Sequence, residues 1–353
     1  MHQRSHHPIS FVSTRGLALL GFACTLGLSS CKDACQSAGS QPSAGDQAAS
    51  AQAPASVADA QQAELLNYMI YSVGEHARRL AADPAWVEDV RDMRNRLEEY
   101  YNSIPQTPAT LAERVKLGLF LAHATRDLRA FPRAVSAYDS VLQLWQELPD
   151  ADRTSPQGRR TRSDIENGKG MCLMALGKRA DALPLYKKAL DLDKARFEDL
   201  APENNAPLPQ GDDISPDLVQ AAEDVLSSYR CMGECQLLAD DPESARDTFK
   251  KGTELAQRMK HLKPGMSIQY IRLLSSLGNL ESSCGRKQQA LAAWQQAAFY
   301  ANQLQQAAPS PAVKAQAALF LRELAPSIKT LSRELQAEAA PQQEADAAPE
   351  LLQ

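Results

Sequence analysis

Apolar residues recur at three- and four-residue intervals along most of the chain, which places them on one face of a helix. The clearest example runs through Leu111, Val115, Leu119 and Ala122. Runs of Val, Ile or Thr that alternate with polar residues at period two are absent, and aromatic residues make up only 6% of the chain. The pattern therefore predicts an all-α protein.

Predicted helix starts are marked by a capping residue followed by proline. Ser, Thr and Asp accept hydrogen bonds from the free amides of a first turn, and proline at the first helical position loses no hydrogen bond there. The signature occurs at Asp83-Pro84, Thr107-Pro108, Ser155-Pro156, Ser215-Pro216, Asp241-Pro242 and Ser310-Pro311. Between these starts the apolar pattern predicts helices that come in pairs.

A set of small and aromatic residues returns four times at fixed offsets. The small marker residues are Ala134, Ala182, Ala245 and Ala290, and the aromatic residues four positions later are Tyr138, Tyr186, Phe249 and Trp294. Seven positions after the markers stand Val141, Ala189, Gly252 and Ala297, and twelve positions before them stand Ala122, Gly170, Gly233 and Gly278. Four copies in phase predict helical hairpins that hide their apolar faces by stacking.

Each residue type of the repeat suits a contact between antiparallel helices. Small residues allow two helices to approach closely, and we expect the aromatic residue to fill the gap to the following hairpin. A glycine inside a helix costs about 1 kcal/mol relative to alanine. Glycine at one offset in three of the four copies therefore indicates a steric need.

The repeat resembles that of the tetratricopeptide repeat (TPR) family, which has Gly or Ala at position 8, Ala at 20, an aromatic residue at 24 and Ala at 27. The match covers about residues 111–307. The marker residues lie 48, 63 and 45 positions apart, more than the roughly 34 residues of a standard repeat. This implies longer helices and inserted loops, and other α-solenoids are the structural alternative.

The remaining segments complete the predicted domain plan. We predict an N-terminal helical hairpin at 63–104 and a TPR-like solenoid at 105–340 with an acidic, proline-rich loop at 201–214. Residues 311–338 are expected to form capping helices. A polar, acidic tail at 341–353 is predicted to be disordered.

The first thirty residues have the composition of a secretory signal peptide. A basic start leads into an apolar run, Leu17 to Leu28, which is too short to span a bilayer. The run ends in Leu28-Ser29-Ser30-Cys31, which resembles the lipobox of bacterial lipoproteins. The resemblance implies removal of residues 1–30 and acylation of Cys31, while Lys32 in place of Asp favours the outer membrane. The alternative is ordinary signal cleavage, with Cys31 an incidental thiol.

The segment at 31–62 consists almost wholly of Ala, Ser, Gln, Gly and Pro. Such a composition buries too little apolar surface to offset the entropy of ordering, so we predict a disordered tether. About thirty flexible residues reach roughly 30 Å. The folded part could therefore stand away from a membrane to which Cys31 is anchored.

The charge of the chain excludes two classes of partner. The 353 residues carry a net charge of −5, with 38 basic and 43 acidic residues. Nucleic-acid binding and polybasic attachment to anionic lipid both need an excess of basic residues. We therefore predict no nucleic-acid partner and a membrane contact made by the lipid alone.

The TPR resemblance also implies where partners bind, because that family displays its ligand groove on the first helix of each repeat. Transferred by position, the predicted concave-face residues are Lys116, Phe120, His123, Arg126, Asn167, Met171, Arg230, Glu234, Arg272 and Asn279. Asp127, Asp164 and Ser276 belong to the same face. TPR proteins that clamp a free C-terminus need Lys and Asn where this chain has Leu119 and His123, so such a clamp is not supported. The plain interpretation of each residue is a solvated helix surface.

Candidate chemistry is sparse elsewhere. Cys231 and Cys235 lie four residues apart on one predicted helix. The three histidines that follow the signal peptide (His76, His123 and His261) all lie far from any cysteine in the sequence, so we predict buried free thiols and no metal site. A disulfide between residues four apart on a helix would be strained. The sequence has no glycine-rich phosphate loop, no His-Glu-x-x-His and no nucleophile elbow. We expect no cofactor and no enzymatic activity.

The sequence favours a lipid-anchored scaffold that binds envelope proteins or peptides at the surface of a bacterial membrane, with homo-oligomers possible. One alternative is a solute-binding lipoprotein with a pocket lined by Met171, Met174 and Leu237. A second is an enzyme whose site lies on the insertion at 201–214.

Overall fold

We describe a computed structural model of the chain over residues 87–201, 214–259, 264–308 and 310–347. The predicted signal peptide, the tether with Cys31 and the first part of the predicted N-terminal hairpin lie outside these residues. So do most of the loop at 201–214 and the last six residues of the predicted tail.

The chain divides into two compact units between Ser103 and Ile104. In the first unit the structure describes one helix, α1, which spans Val87–Ser103. Its apolar residues Val90 and Leu97 are buried and lie seven positions apart, on one face of the helix.

The second unit is helical and contains no strand within its described residues. It begins with a 3-10 turn at Pro108–Thr110. The helices that follow are α2 (Leu111–Asp127), α3 (Phe131–Glu147), α4 (Asp150–Thr154), α5 (Pro156–Ala175), α6 (Arg179–Leu200), α7 (Pro216–Leu238), α8 (Pro242–Met259), α9 (Pro264–Ser283), α10 (Lys287–Ala307) and α11 (Pro311–Ala347).

The proline signature predicts several helix starts to the residue. Helices α5, α7, α8 and α11 each begin at the proline of a predicted pair. Before α5 the Ser155 hydroxyl accepts a hydrogen bond from the Gly158 amide at 2.9 Å. Before α8 the Asp241 carboxylate accepts one from the Ser244 amide at 3.1 Å. The caps thus satisfy first-turn amides that have no partner within the helix.

Four antiparallel hairpins form the stack: α2 with α3, α5 with α6, α7 with α8, and α9 with α10. Each turn contains one residue with positive φ, five positions before the marker alanine: Arg129, Gly177, Asp240 and Gly285. The residue that follows the positive-φ residue donates its amide hydrogen to the carbonyl oxygen of the residue five positions before it. In the last hairpin, for example, the Arg286 amide donates to the Glu281 carbonyl at 2.8 Å. This is the left-handed helix ending that glycine favours, and here it reverses the chain in all four hairpins.

The first helices of the hairpins line one side of the stack. Within the second unit α2 contacts α5, α5 contacts α7, α7 contacts α9 and α9 contacts α11. Each second helix packs mainly against the first helix of its own hairpin and against the first helix of the following hairpin. Among the described residues, no two second helices pack against each other as closely as the neighbouring first helices do. We call the surface carried by α2, α5, α7 and α9 the first-helix side.

The repeated positions form the core, as the sequence predicts. All four marker alanines are fully buried, and the aromatic residues four positions later are at most 6% exposed. The fold is therefore an all-α solenoid of stacked TPR-like hairpins.

The aromatic residues also pack within their own hairpins, a contact that the sequence did not predict. Tyr186, Phe249 and Trp294 each lie on the glycine of the first helix in their own hairpin, sixteen positions earlier. The glycine is needed because the ring occupies the space where a side chain would stand. Tyr138 reaches the following hairpin, where it lies against Gly168, and Tyr186 lies near Cys231 and Cys235 of the hairpin that follows it.

The last helix continues to Ala347, so the boundary predicted at residue 340 lies inside it. Its sequence past that boundary is rich in Ala, Glu and Gln, which favour helix, despite Pro341. Within α11 the buried residues Ala317, Leu324 and Leu331 follow at seven-residue spacing, and this stripe covers the last hairpin. A single long helix therefore stands where capping helices were expected.

Candidate functional site

The ten residues predicted to contact a partner all lie on the first helices. Lys116, Phe120, His123 and Arg126 are on α2, Asn167 and Met171 on α5, Arg230 and Glu234 on α7, and Arg272 and Asn279 on α9. Lys116 is exposed, Arg126 and Arg230 are buried, and the other seven are partly buried. Most of this set is therefore less solvated than an ordinary helix surface.

At the α2 end of the first-helix side, a basic group is held between two hairpins. The Arg126 guanidinium donates to Asp127 Oδ1 at 2.9 and 3.0 Å and lies 3.8 Å from Met171 Sδ on α5. His123 Nδ1 is 2.6 Å from the Tyr138 hydroxyl. Burial, with a contribution from Arg126, lowers the pKa of His123 well below its usual value. The imidazole is therefore neutral at physiological pH.

A hydrogen-bonded chain joins three helices in the middle of the stack. The Asn167 amide on α5 donates to Ser228 Oγ on α7 at 2.8 Å, and Ser228 in turn donates to Asp193 on α6 at 2.6 Å. Burial, and then the nearby Asp224 carboxylate, raise the pKa of Asp193 well above its usual value. Asn167 thus supports the stacking of hairpins as well as standing on the predicted face.

Two further carboxylates lie beside this chain. Asp224 accepts from Arg196 at 2.6 Å and pairs with Arg160 at 3.2 Å. The pKa of Asp164 rises to about 6 because it is buried, with Asp224 adding to the rise while Arg160 and Arg196 oppose it. The sequence singled out Asp164 by its position. Arg160, Asp193, Arg196 and Asp224 were missed because each occurs at a place with no counterpart among the repeat offsets.

At the α7–α9 contact, the two arginines Arg230 and Arg272 lie near the carboxylates of Glu234 and Glu223. Arg230 donates to both carboxylate oxygens of Glu234, at 2.7 and 2.9 Å, and Ser276 on α9 donates to Glu234 at 3.1 Å. The carboxylates of Glu234 and Glu223 and the guanidinium of Arg230 all lie near enough to Arg272 to affect its charge. Burial, and then the charge of Arg230, lower the pKa of Arg272 to about 10. Arg272 is therefore a partly buried cation whose charge is favoured by two carboxylates and opposed by burial and by Arg230.

Asn279 has a structural contact as well as a place on the first-helix side. Its Oδ1 accepts a hydrogen bond from the Trp294 indole nitrogen at 3.2 Å. The amide thereby fixes the ring that lies on Gly278.

The cysteines agree with the expectation of free thiols. None of Cys172, Cys231, Cys235 and Cys284 forms a disulfide bond, and the first three are buried. No group of three metal-ligating side chains comes together in the described part of the chain. In the same residues, no helix is long and apolar enough to cross a bilayer.

Comparisons with known proteins found similarity to solved structures. No known protein family matches the sequence, and no curated protein matches it. Among solved structures, BtubC (BKLC) from P. vanneervenii is 18% identical with a TM-score of 0.45, covering 70% of this chain and 94% of its own. A kinesin light chain structure from Podosopora anserina with nearly identical TPR-like repeats is 12% identical with a TM-score of 0.46, covering 69% of this chain and 97% of its own.

Proposed function

We propose that this protein is a non-catalytic scaffold, anchored by a lipid on Cys31, that binds envelope proteins on its first-helix side. The observation that carries the proposal is the continuity of that side. Contacts between Arg126 and Met171, Asn167 and Ser228, and Glu234 and Ser276 join the four first helices in one row. A row of mixed polar groups from α2 to α9 suits a protein segment laid across several hairpins.

The predicted contact positions of this side carry charges of both signs. Among its predicted positions, the cations Lys116, Arg126, Arg230 and Arg272 face the anions Asp127, Asp164 and Glu234. The chain as a whole has more acidic than basic residues. The four first helices together carry nine basic and nine acidic residues, so this side offers charges of both signs to a partner.

The membrane part of the proposal rests on the first sixty residues. The lipobox-like Leu28-Ser29-Ser30-Cys31 would supply the anchor, and the polar segment at 31–62 would let the folded part reach partners. Several acyl chains on one cysteine give stable attachment, whereas one chain would be marginal. We place the protein on the outer membrane, facing the periplasm, because Lys32 follows the cysteine.

The anchor is tested by labelling cells with a clickable palmitate analogue. The wild-type chain is expected to carry the label and to fractionate with membranes, and Cys31→Ser to lose the label and become soluble. Cys35→Ser is the matched control and should behave as wild type. Label on the Cys31→Ser variant would refute the anchor but leave the binding side untouched.

The binding side is tested by photo-crosslinking in the cell. A benzoylphenylalanine is placed at Lys116, an exposed residue of α2, or at Lys250, an equally exposed residue of the second helix α8. Residue 116 is expected to give discrete protein adducts, and residue 250 none. Adducts from residue 250 alone would place the partner on the other side and contradict the proposal.

A further inference from the structure

In the described part of the second unit, the buried apolar residues form two large clusters that share no member. The first cluster joins α2, α3 and α5 and includes Val115, Tyr138 and Ile165. The second begins at Leu190 on α6 and continues through α7, α8, α9 and α10 to Leu331 on α11. The apolar core is therefore divided between α5 and α6, inside the second hairpin.

Polar side chains of three helices meet at this division. We call them the polar layer, whose members are Arg160, Ser163, Asp164 and Asn167 on α5, Asp193 and Arg196 on α6, and Gln220, Asp224 and Ser228 on α7. The chain of bonds from Asn167 through Ser228 to Asp193 crosses all three helices. The Ser163 hydroxyl also donates to the Ala189 carbonyl on α6, at 3.4 Å. Hydrogen bonds thus connect helices that belong to different apolar clusters.

The helices on the two sides of the polar layer have an uneven contact. Tyr186 on α6 lies on Gly170 and supplies apolar packing there. Among neighbouring first helices, however, α5 and α7 approach each other least closely. Opening a polar contact exchanges its hydrogen bonds for bonds to water, whereas opening an apolar contact exposes apolar surface. The stack should therefore open more readily at the polar layer than within either apolar cluster.

The polar layer holds three carboxylates and two guanidinium groups. Arg196 and Arg160 both pair with Asp224, at 2.6 and 3.2 Å. Asp193 instead accepts a hydrogen bond from a neutral hydroxyl. Burial, and then the charges of Asp224 and Asp164, raise the pKa of Asp193 well above its usual value. The layer therefore keeps a proton that this carboxylate would lose in water.

Asp164 is surrounded by charged and titratable groups from every side of α5. Burial raises its pKa to about 6, and Asp224 on α7 adds to the rise. The two guanidinium groups of the polar layer and Arg126 on α2 oppose the rise. The Tyr138 hydroxyl on α3 lies near the same carboxylate. Because burial is the largest of these effects, exposure to water would lower the pKa of Asp164 again.

Opening of the polar layer must then release protons. The pKa of an exposed aspartate is 3.8, against about 6 for Asp164 in the closed layer. As pH rises from about 4 to about 6, Asp164 is ionised when the layer is open and protonated when it is closed, so opening becomes more favourable. Above that range the contribution of Asp164 stays constant. Asp193 acts in the same direction, because its pKa is raised as well.

We propose that the polar layer is a pH-sensitive boundary at which the helices α2 to α5 open independently of α6 to α11, and more readily at neutral than at acidic pH. Such partial opening is typical of repeat proteins, in which each repeat contacts only its neighbours. Opening would interrupt the first-helix side between α5 and α7. The inference concerns the stack itself and holds whether or not a partner binds.

The test is hydrogen–deuterium exchange of the full-length protein in detergent, at pH 4.5 and pH 7.5. Dividing each rate by that of the unfolded chain at the same pH gives a protection factor, which measures even rare opening. We expect the slowest amides of α2, α3 and α5 to share a lower protection factor than the slowest amides of α7 to α10. Protection of α2, α3 and α5 should also fall by about tenfold or more from pH 4.5 to pH 7.5.

Asparagine variants assign this fall to the polar layer. Asp164 alone accounts for at most about 25-fold, because its pKa changes from about 6 to 3.8 on opening. Asp164→Asn should therefore reduce the fall in protection, and Asp164→Asn combined with Asp193→Asn should nearly abolish it. The matched control is Asp191→Asn, which removes an exposed carboxylate of α6 and should leave the fall as in wild type.

Three results would overturn the proposal. Equal protection of the slowest amides in the two parts would show that the stack opens as one unit. A fall in protection that both variants leave unchanged would show that the polar layer does not bind the protons concerned. Lower protection of both variants than of wild type at pH 4.5 and at pH 7.5 would give the carboxylates a structural role only. None of these results bears on partner binding, which the crosslinking experiment tests.

Discussion

The Phe249 ring lies across Gly233, the residue sixteen positions before it on the other helix of the same hairpin. A β-carbon on residue 233 would come 2.6 Å from the ring's Cε1 atom, well inside van der Waals contact. The ring is fully buried. It therefore has no free space into which it could turn away.

We expect Gly233→Ala to destabilise the protein. Overpacking a core lowers the free energy of unfolding by about 1–3 kcal/mol. The better helix propensity of alanine offsets about 1 kcal/mol of that loss. Gly170→Ala is the matched control, because its β-carbon would meet Tyr186 at 3.0 Å, and it should cost less. Urea unfolding measures both. If Gly233→Ala is as stable as wild type, the Phe249 ring does not lie against residue 233.

The double variant Gly233→Ala/Phe249→Leu refines this test. Leucine is smaller at the contact, so it should relieve the clash while losing some apolar burial. The cost of Gly233→Ala should therefore be smaller in the Phe249→Leu background than in wild type. Equal costs in the two backgrounds would show that the two residues do not interact.

The hairpin turns give a prediction that depends on backbone conformation alone. Gly285 has φ of +72° and nothing within 4 Å of its would-be β-carbon, so alanine there meets no neighbour. It must still adopt a left-handed conformation, which costs about 1 kcal/mol. Gly285→Ala should lower the unfolding free energy by that amount, measured in urea.

Asp240, with φ of +65° at the equivalent turn, provides the opposite substitution. Asp240→Gly should leave the stability unchanged or raise it by a few tenths of a kcal/mol, because Asp tolerates this conformation better than most residues. If Asp240→Gly lost as much stability as Gly285→Ala, the conformation of the left-handed residue would not explain the effect of these two substitutions.

The hairpin turns are a feature of this fold that the sequence does not reveal, in contrast to the core positions. The marker alanines and aromatic residues could be predicted because burial at helical spacing is a local pattern that repeats. The left-handed residue five positions before each marker also repeats, but Arg129 and Asp240 occupy it in two copies, so no glycine reveals it. The ring–glycine contact was equally hidden, because its partner depends on how closely two helices approach.

The candidate site was predictable only as a set of positions. The repeat pattern correctly predicted that Asn167 lies on the first helix of its hairpin. It did not predict the bond to Ser228, because that bond joins residues 61 positions apart. That distance includes the insertion at 201–214, and only the stacking of hairpins brings the two together. The bond from Ser276 to Glu234 could not be foreseen either, since it joins two helices whose bonded residues lie 42 positions apart.

The raised pKa of Asp164 predicts an unusual dependence of stability on pH. An aspartate's pKa is 3.8 without perturbation and about 6 here, so between these pH values the folded state binds more protons than the unfolded state. The unfolding free energy must then fall as pH rises from about 4 to about 6, and the penalty persists above that range. The sign is opposite to that of a carboxylate stabilised by an ion pair.

Asp164→Asn removes this penalty and should stabilise the protein at pH 8 but much less at pH 4.5. A shift of about two pKa units sets an upper bound of about 3 kcal/mol on the difference. Asp247→Asn, on an exposed surface of α8, is the control and should change stability equally at both pH values. Urea unfolding at the two pH values measures this, and a gain from Asp164→Asn that does not vary with pH would contradict it.

The buried cysteines should remain unreactive thiols even in an oxidising compartment. Burial raises the pKa of Cys172 and of Cys235 to about 11, and it raises the pKa of Cys231 as well. Thiolates are the reactive form, so at pH 8 these three should be alkylated by iodoacetamide at least about tenfold more slowly than the partly exposed Cys284. Site-resolved mass spectrometry of the native protein measures the four rates, which should converge in urea. A peptide in which Cys231 is bonded to Cys235, recovered from protein that was never reduced, would show that the helix α7 opens in the cell.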